Sequence, residues 1–477
     1  MAIVRAFPSL VISRDGFEAQ GAFAEAQAAF LEPDARSVST LRGLAERSNV
    51  GIVAHFYMDP ELQGVLAASG YRHVHVSDSL VMADRAVDMV RAGAERIVVL
   101  GVDFMAENVR AVLDGAGFGQ VPVYRAARDP IGCSLAEAAE ADEYFAWLRQ
   151  AAVERLGLHV IYINTSLYTK AHAHALLPTL TCTSSNVVST VLSAFAQVPE
   201  VRLWFGPDTY MGQNLRVLFQ SMAELDNDAI KQVHPAHDRS TLSRVLAGFA
   251  YFPRGNCIVH HLFGDEVARR VASDYADALI TAHLEVPGAM FRLGLEAQRC
   301  GRGVVGSTSD ILSFVGRAVD AASARGQNER LRVVLGTEVG MVTSLVRKVQ
   351  GCLRAVGSRA VDVELVFPVA DEAVAATGDR QLPMVPGPAG GEGCSVEGGC
   401  ATCPYMKMNS LDALLSLLQR LDGNANELAA YTPQMRQGTI AGRPLIEWAT
   451  APISHMRAFT RDGRLPDELV SDIRTRR

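Results

Sequence analysis

The sequence predicts an α/β protein with several parallel β-sheets, and three observations lead to this fold class. Short runs of β-branched and other apolar residues recur along the chain, nearly continuous in apolar character, as in strands buried on both faces of a parallel sheet. Between these runs lie segments with apolar residues at helical spacing. The 477 residues exceed one hydrophobic core, and the runs are too many for one small sheet, so several α/β units are expected.

Strand and helix patterns alternate in chain order. The segments that resemble buried strands are VGIVAHFY (50–57), ERIVVLGVDF (95–104), LHVIYINTS (158–166), VRLWFGPD (201–208), DALITAHLEV (277–286), GVVGSTSD (303–310), LRVVLGTEVG (331–340) and VDVELVFPV (361–369). Helices are predicted at 81–94 and 185–198, and at 411–421 after a candidate N-cap at Ser410. The alternation indicates strand–helix–strand units.

Charge and composition exclude several function classes. A net charge of −7 argues against a nucleic-acid-binding surface, which requires a basic face. No apolar run reaches the roughly 18 residues of a membrane span. The start, MAIVRAFPSLVISRDGFEAQ, reads as neither a signal peptide nor an Arg/Ser-rich transit peptide. We therefore expect the protein to be cytoplasmic, and a plastid localisation is the less favoured alternative. Its cysteines should stay reduced and serve a metal or catalysis.

Polar groups follow almost every predicted strand. They include His55 and Tyr57, Ser79, Glu107, Tyr162 and Asn164, His283 and Glu285, and Ser307 with Thr308. Ligands bind at the carboxyl ends of strands in open α/β sheets, so these groups are expected to form a site. A single such residue is more often a turn or cap residue, but repetition at successive strands favours a site. The hydroxyl-rich turns INTS, CTSSN and GSTS, each opening a predicted helix, indicate a small anionic substrate.

Three of the eight cysteines lie close together near the C-terminal third of the chain. Residues 371–399 form a segment rich in Gly and Pro that is predicted to be a long loop; Cys394 lies within it, and Cys400 and Cys403 follow it. Cys133 and Cys257 each lie just past a Gly, at a loop-to-element transition. The spacing alone leaves zinc, an iron–sulfur cluster and a redox disulfide open. Cys394 and Cys400 are candidates for a reversible disulfide with each other.

Many short segments between about residues 50 and 411 occur together, in the same order, in a known family. They are VAHFYMDPELQ, SDSLVMA, GVDFMAEN, GCSLAEA, YINTS, CTSSN, CIVH, HLE, GSTS, GTEVG and CPYMKMNSL. On these motifs the chain resembles the quinolinate synthases, the iron–sulfur enzymes of de novo NAD biosynthesis. The N-terminal AFPSLVISRDGFEAQGAFAEAQ and the tail around PISHMR resemble the long, plant-type form, here without its upstream sulfur-transfer activator domain.

The resemblance implies three similar three-layer αβα domains around a pseudo-threefold axis with a [4Fe–4S] cluster at their junction. The expected division is an N-terminal extension (1–45), domain 1 (46–132, joined by the C-terminal helix and tail 404–477), domain 2 (133–256) and domain 3 (257–403, including the loop 371–399). The cluster ligands implied by the family motifs are Cys133, Cys257 and Cys403. Three thiolates leave one iron open as a Lewis acid.

The resemblance also implies a reaction and residue roles. Quinolinate synthases condense iminoaspartate with dihydroxyacetone phosphate to quinolinate, phosphate and water, a transferase reaction that forms C–C and C–N bonds with dehydration. An L-aspartate oxidase or dehydrogenase would supply iminoaspartate, and iron–sulfur assembly machinery the cluster. Proton transfer would fall to Tyr57 and Glu285 beside His55 and His283. The substrate-binding residues implied are His55, Ser79, Tyr162, Asn164, Ser184, His260, His283, Glu285, Ser307 and Thr308.

Two departures and two alternatives accompany this interpretation. The common bacterial motif His-Pro-Glu is His283-Leu284-Glu285 here. In an extended strand the side chains of His283 and Glu285 would share one face, and a partly dehydrated cavity would raise the carboxyl pKa. The alternative for Glu285 is an ion pair with an arginine such as Arg292. The alternative functions are another open-iron hydro-lyase of the aconitase type and a cysteine-based metal or redox sensor.

Overall fold

The computed structural model describes residues 6–368, 375–376, 384–385, 403–423 and 425–476. These form two compact units. Unit 1 contains residues 1–101, 120–131 and 258–432, and unit 2 contains residues 102–119, 132–257 and 433–477. Cys394, Cys400 and most of the predicted loop 371–399 lie outside the described residues. Within the described ranges, no helix is long and apolar enough to cross a membrane.

All eight predicted strands are present, and the structure adds further short ones. The strands are β1 Ser9–Ile12, β2 Phe17–Gln20, β3 Val50–His55, β4 Val74–Ser77, β5 Arg96–Leu100, β6 Val123–Arg125, β7 Gly157–Tyr162, β8 Thr179–Cys182, β9 Arg202–Gly206, β10 Phe249–Tyr251, β11 Leu279–His283, β12 Gly303–Gly306, β13 Glu329–Gly336, β14 Val361–Val366, β15 Ala375–Ala376, β16 Met384–Val385, β17 Thr439–Ile440 and β18 Arg443–Pro444.

Helices follow most of these strands, as the alternating pattern predicts. They are α1 Ala22–Ala29, α2 Ala35–Ser48, α3 Pro60–Ser69, α4 Ser79–Arg91, α5 Asp103–Gly115, α6 Ser134–Glu140, α7 Asp142–Ala151, α8 Leu167–Leu176, α9 Val187–Gln197, α10 Thr209–Ala223, α11 Asn227–Val233, α12 Arg239–Gly248, α13 Asp265–Asp274, α14 Gly288–Arg299, α15 Thr308–Arg325, α16 Val342–Ala355, α17 Leu411–Arg420, α18 Ala425–Leu428, α19 Leu445–Asp462 and α20 Asp467–Thr475. The three helices predicted from spacing correspond to α4, α9 and α17, and Ser410 caps α17 by accepting from the Ala413 amide.

Unit 1 contains two larger sheets. One has the strand order β4-β3-β5-β6 and is parallel throughout. The other has the order β12-β11-β13-β14-β1-β2, with its first four strands parallel and β1 and β2 added antiparallel at one edge. The predicted N-terminal extension therefore supplies two strands to this sheet. All four residues of β1 are buried, because the strand lies between β14 and β2.

Unit 2 contains a parallel sheet of strand order β10-β9-β7-β8. Helix α19 of the C-terminal tail lies against α8 and β8 of this unit, and the His455 ring bonds to the Thr179 carbonyl oxygen at 3.1 Å. The expectation that the whole segment 404–477 joins domain 1 is therefore corrected. Helix α17 packs its leucines into the core of the β4-β3-β5-β6 sheet, but residues from Pro433 onward belong to unit 2.

Candidate active site

The candidate site of unit 1 is built from residues that follow parallel strands at their carboxyl ends. β3 ends at His55 and β11 ends at His283, while β12 and β13 each end at a glycine that precedes Ser307 or Thr337. Parallel strands present their carboxyl ends at one edge of a sheet, where ligands bind in open α/β folds. The topology thus places the polar groups predicted at the strand ends of unit 1 at the carboxyl edges of its sheets.

Two histidines adopt the same local geometry at the ends of their strands. The Tyr57 amide donates to Nδ1 of His55 at 3.2 Å, and the Glu285 amide donates to Nδ1 of His283 at 3.3 Å. Burial lowers the pKa of each histidine to about 4, and the negative charge of Glu285 opposes that shift. Both rings are therefore neutral near pH 7. Because Nδ1 accepts a hydrogen bond, we assign the proton to Nε2, which makes each ring a hydrogen-bond donor.

Glu285 is a buried carboxylate beside two imidazole rings. Its oxygens lie 3.2 Å from Nδ1 of His260 and 3.8 Å from Nδ1 of His283, and the side chain is about 4% exposed. The two histidine rings stack with centroids 5.0 Å apart. The side chains found beside the Glu285 carboxylate are thus histidines, and not the arginine, such as Arg292, that the alternative interpretation of the sequence had suggested. The strand stops at His283, so the extended-chain argument was wrong, although a tight turn still brings the two side chains together.

Tyr57 connects the two sheets of unit 1 through its phenol oxygen. That oxygen lies 3.0 Å from Thr308 Oγ1 and 3.1 Å from Thr337 Oγ1. The pKa of the Tyr57 phenol is raised well above its usual value, mainly by burial and to a smaller extent by the negative charges of Glu285 and Glu338. The phenol is therefore protonated at neutral pH and can act as an acid. The phenol can give up its proton only to a substrate group that develops negative charge, because the raised pKa makes the phenol a weak acid.

A buried glutamine holds the turn that carries Tyr57. The Gln63 side-chain nitrogen lies 2.7 Å from the Phe56 carbonyl oxygen, 3.0 Å from that of Met58 and 2.6 Å from that of Gly340. A Cβ added at Gly340 would lie 2.7 Å from the Tyr57 Cα, so this close approach requires glycine. Sequence reasoning gave Gln63 no role, although it lies inside the quoted motif VAHFYMDPELQ.

Ser79 and Ser307 both lie at helix N-termini, as the capping interpretation of such residues predicts. Asp78 is the N-cap of α4, and its carboxylate accepts from the amides of residues 80 and 81. Ser79 is the buried first residue of that helix. Ser307 forms a capping box, in which its hydroxyl donates to Asp310 Oδ2 at 2.6 Å and accepts from the Asp310 amide. Its hydroxyl proton is thus already engaged.

Cys403 is held by a carboxylate that sequence reasoning missed. Its backbone amide donates to Glu338 Oε1 at 2.7 Å. Glu338 is 2% exposed, and burial raises the pKa of its carboxyl well above the usual value, against the effect of the Cys403 amide. Thr337 and Glu338 directly follow β13 in the motif GTEVG, so the rule that polar residues follow strands could have found them.

The remaining site candidates lie in unit 2. Tyr162 is the last residue of β7 and is buried, and Asn164 follows it half-buried. Ser184 lies half-buried in the turn between β8 and α9. Cys133 occupies the N-cap position of α6, and Cys257 lies in the loop after β10. All of these residues lie in turns or at strand ends, as expected.

The three predicted cluster ligands fit a soft-metal centre in their chemistry. Cys133, Cys257 and Cys403 are all half-buried. In unit 2, the Ser134 hydroxyl donates to the Asn256 carbonyl oxygen at 3.0 Å, so the segments carrying Cys133 and Cys257 lie side by side although they are far apart in sequence. Partly accessible thiols in loops can ligate iron, whereas fully buried thiols such as Cys182 remain inert.

The fold and the unit 1 site together define a class of protein. Neutral imidazoles, a buried carboxylate and a protonated phenol meet at the carboxyl ends of parallel strands. Groups of this kind, held within contact of one another at a sheet edge, carry out general acid–base chemistry. The chain is an α/β enzyme.

Comparison with known proteins places this enzyme in a family. The family model described as "Quinolinate synthetase A protein" matches residues 39–364, more than half of the chain. A chloroplastic quinolinate synthase of Nicotiana tabacum is 50% identical over 98% of this chain and 67% of its own length. The corresponding enzyme of Arabidopsis thaliana is also 50% identical over the same shares. The chain belongs to the quinolinate synthase family.

More distant relatives carry the same name, and the plant names bear on localisation. A quinolinate synthase of Methanopyrus kandleri is 31% identical over 62% of this chain and 78% of its own length. The plant relatives are longer, so this chain spans about two thirds of their length. Their names describe them as chloroplastic, which is contrary to the cytoplasmic localisation expected from the sequence.

Proposed function

We propose that this chain condenses iminoaspartate with dihydroxyacetone phosphate to form quinolinate, one phosphate and two waters. Family membership supports the reaction, and the observation that carries it in this structure is the buried Glu285 carboxylate beside His260 and His283, with the Tyr57 phenol nearby. Closing a pyridine ring requires protons to be removed from carbon and delivered to departing hydroxide. A carboxylate and a protonated phenol in one site can perform these two tasks.

The histidine donors suit the anionic groups of the substrates. The neutral rings of His55 and His283, with the proton on Nε2, can donate hydrogen bonds to carboxylate or phosphate oxygens. They do so without the free-energy cost of a buried positive charge. We assign further substrate contacts to the family positions Ser79, Tyr162, Asn164, Ser184, His260, Ser307 and Thr308. Because the Ser307 hydroxyl proton is engaged with Asp310, we expect Ser307 to make a weak contact with the substrate.

We propose Glu285 as the base that takes a proton from substrate carbon, and Tyr57 as the acid that returns one. The carboxylate of Glu285 lies 3.2 Å from Nδ1 of His260, and a proton on that nitrogen would hold it in place. The hydroxyls of Thr308 and Thr337 fix the direction of the Tyr57 phenol oxygen. Held in this way, both groups need little reorganisation when the substrate binds.

The cofactor proposed for this family member is a [4Fe–4S] cluster held by Cys133, Cys257 and Cys403. A cluster with three protein ligands offers an open iron, which supplies Lewis-acid activation of an oxygen-bearing group. The Glu338 carboxylate would orient the segment of Cys403 through its amide. Family membership also supports, as part of this proposal, the arrangement of three αβα domains around a pseudo-threefold axis. Iron–sulfur assembly machinery and a source of iminoaspartate are the partners it requires.

The names of the plant relatives support a plastid localisation more strongly than the cytoplasmic one. No observation favours a hydro-lyase of the aconitase type or a cysteine-based sensor over quinolinate synthesis.

The reaction is tested on anaerobically purified and reconstituted protein. The protein is supplied with dihydroxyacetone phosphate and with iminoaspartate generated in place by an L-aspartate oxidase, and quinolinate is measured by mass spectrometry. Omission of dihydroxyacetone phosphate serves as the control, because a hydro-lyase would not need it. Absence of quinolinate from protein with a full cluster would refute the proposed function.

A further inference from the structure

Unit 2 contains a fully buried lysine to which the mechanism assigns no role. Lys170 lies on α8 and has no solvent exposure. Its Nζ donates to the carbonyl oxygens of Ile163 at 3.1 Å and of Thr165, and to Thr165 Oγ1 at 3.0 Å. An ammonium group has three N–H donors, so all three are directed at the turn that follows β7. Burying a lysine is costly, and such residues are rarely found without a specific partner.

The turn held by Lys170 lies between β7 and α8, and it is ordered by further bonds. The Thr165 hydroxyl donates to the Tyr162 carbonyl oxygen at 3.0 Å, and the Thr165 amide donates to the Ile163 carbonyl oxygen at 2.7 Å. The Leu167 amide, in the first turn of α8, donates to the Glu107 carboxylate at 2.8 Å. Bonds from Lys170, Thr165 and Glu107 thus order this short turn from within its own unit.

The same arrangement occurs a second time in the chain, at the turn that carries Tyr57. There Gln63, on the helix after β3, donates to the carbonyl oxygens of the residues seven and five positions earlier, Phe56 and Met58. Lys170, on the helix after β7, donates to the carbonyl oxygens seven and five positions earlier. In both turns a residue assigned to the site ends the strand, His55 or Tyr162, and a second site residue follows two positions later.

This correspondence gives the buried lysine a role. We propose that Lys170 is a positioning residue that fixes the turn 163–165, so that Tyr162 and Asn164 present their side chains to the anionic substrate in one orientation. The inference rests on the proposed function for the identity of the substrate. It adds a residue that touches no substrate and acts through the turn it holds.

The electrostatic surroundings of Lys170 are consistent with this role. Burial lowers the pKa of its amine to about 7, and the negative charge of Glu107 on α5 opposes that shift. The Phe104 ring lies 5.9 Å from Nζ. Glutamine in the first turn and lysine in the second both supply more than one N–H from one side chain, which a hydroxyl or an aliphatic residue cannot do.

The test compares two replacements of Lys170 in the reconstituted holoenzyme. Lys170→Met keeps an unbranched chain of similar length and removes all donors, whereas Lys170→Gln supplies the group used in the first turn. We expect Lys170→Met to raise the KM for dihydroxyacetone phosphate and the dissociation constant for quinolinate by at least about tenfold, with a smaller effect on kcat. We expect Lys170→Gln to recover part of this loss.

Amide hydrogen exchange supplies a readout that does not depend on the reaction. In Lys170→Met the peptide covering residues 160–168 should exchange faster, while peptides from β9 and α10 should be unchanged. Leu242→Ala, which opens a cavity in the buried face of α12, controls for general loss of stability in unit 2. Lys231→Met, which makes the same substitution in the short helix α11, controls for loss of a lysine outside this turn.

The outcomes separate this inference from the proposed function. Unchanged exchange at 160–168 together with unchanged KM and dissociation constant in Lys170→Met would overturn the positioning role. If Lys170→Met does not fold, Thr165→Val, which removes one of the three acceptors, should give the same change at smaller size, and no change would overturn the role. If the wild-type enzyme forms no quinolinate, the proposed function fails, and the exchange measurement still decides whether Lys170 holds the turn.

Discussion

Replacing Glu285 by glutamine should abolish most proton transfer while leaving the rest of the site in place. The carboxylate is about 4% exposed and lies within 3.2 Å of His260 and 3.8 Å of His283. Glutamine has nearly the same volume and keeps a carbonyl oxygen, so we expect little change in packing. It cannot accept a proton from carbon at neutral pH, which removes the role proposed for Glu285.

The expected magnitude follows from the surroundings of this carboxylate. Loss of general acid–base help costs about 10²- to 10⁴-fold in rate, so we expect kcat to fall at least about 100-fold, or about 2.7 kcal/mol in activation free energy. The negative charge of Glu285 raises the pKa values of His55 and His283 toward their ordinary value. Its removal leaves both rings more firmly neutral, so their Nε2–H donors persist and KM should change little.

The assay combines anaerobic kinetics with two measurements of integrity. Quinolinate formation gives kcat and KM, iron analysis reports cluster content, and the dissociation constant for quinolinate reports the substrate site. Glu296→Gln, the same substitution at an exposed position of α14, is the matched control and should behave as wild type. A near-normal kcat in Glu285→Gln with a full cluster would refute the assignment of Glu285 as the base.

Three further predictions follow from the same contacts. Tyr57→Phe removes the phenol oxygen between two threonine hydroxyls, so kcat should fall about 10²- to 10⁴-fold. The free energy of unfolding, measured with denaturant, should fall by about 1–3 kcal/mol. Unchanged kinetics would exclude the phenol as the acid. Burial depresses the pKa of the two strand-end histidines from 6.5 to about 4, so each contributes stability that is present above pH 6.5 and is lost as the pH falls toward 4, by up to about 3 kcal/mol. Denaturant unfolding at pH 7 and pH 5 measures this loss, and equal stabilities would contradict the buried neutral rings. Iron analysis after anaerobic reconstitution should show loss of the cluster in alanine variants of the predicted ligands and a full cluster in alanine variants of the two neighbouring cysteines. A full cluster in Cys403→Ala together with an empty Cys400→Ala would transfer the ligand role to Cys400. The predicted ligands are Cys133, Cys257 and Cys403, and the neighbours are Cys394 and Cys400.

Much of the fold could be read from local patterns. A strand buried on both faces is recognised by its continuous apolar run, so all eight such runs became strands of parallel sheets. The polar residues at the ends of these runs, including His55 and His283, indicate the candidate site because ligands bind at the carboxyl ends of parallel strands. The end of each strand was less certain, because the turn that begins at Leu284 is set by hydrogen bonds that the sequence does not display.

The sequence by itself determined the fold class, the family, and the residue types available at each strand end. Only the tertiary structure decided which of these residues meet. The Tyr57 phenol and Thr337 are 280 positions apart, and no local pattern pairs them. The same is true of the Cys403 amide and Glu338, which lies 65 positions away, and of the tail, whose helix α19 lies against α8. Lys170 and Gln63 escaped notice because a polar residue in a helix is ordinarily exposed, and only burial against a turn shows that its donors are used there.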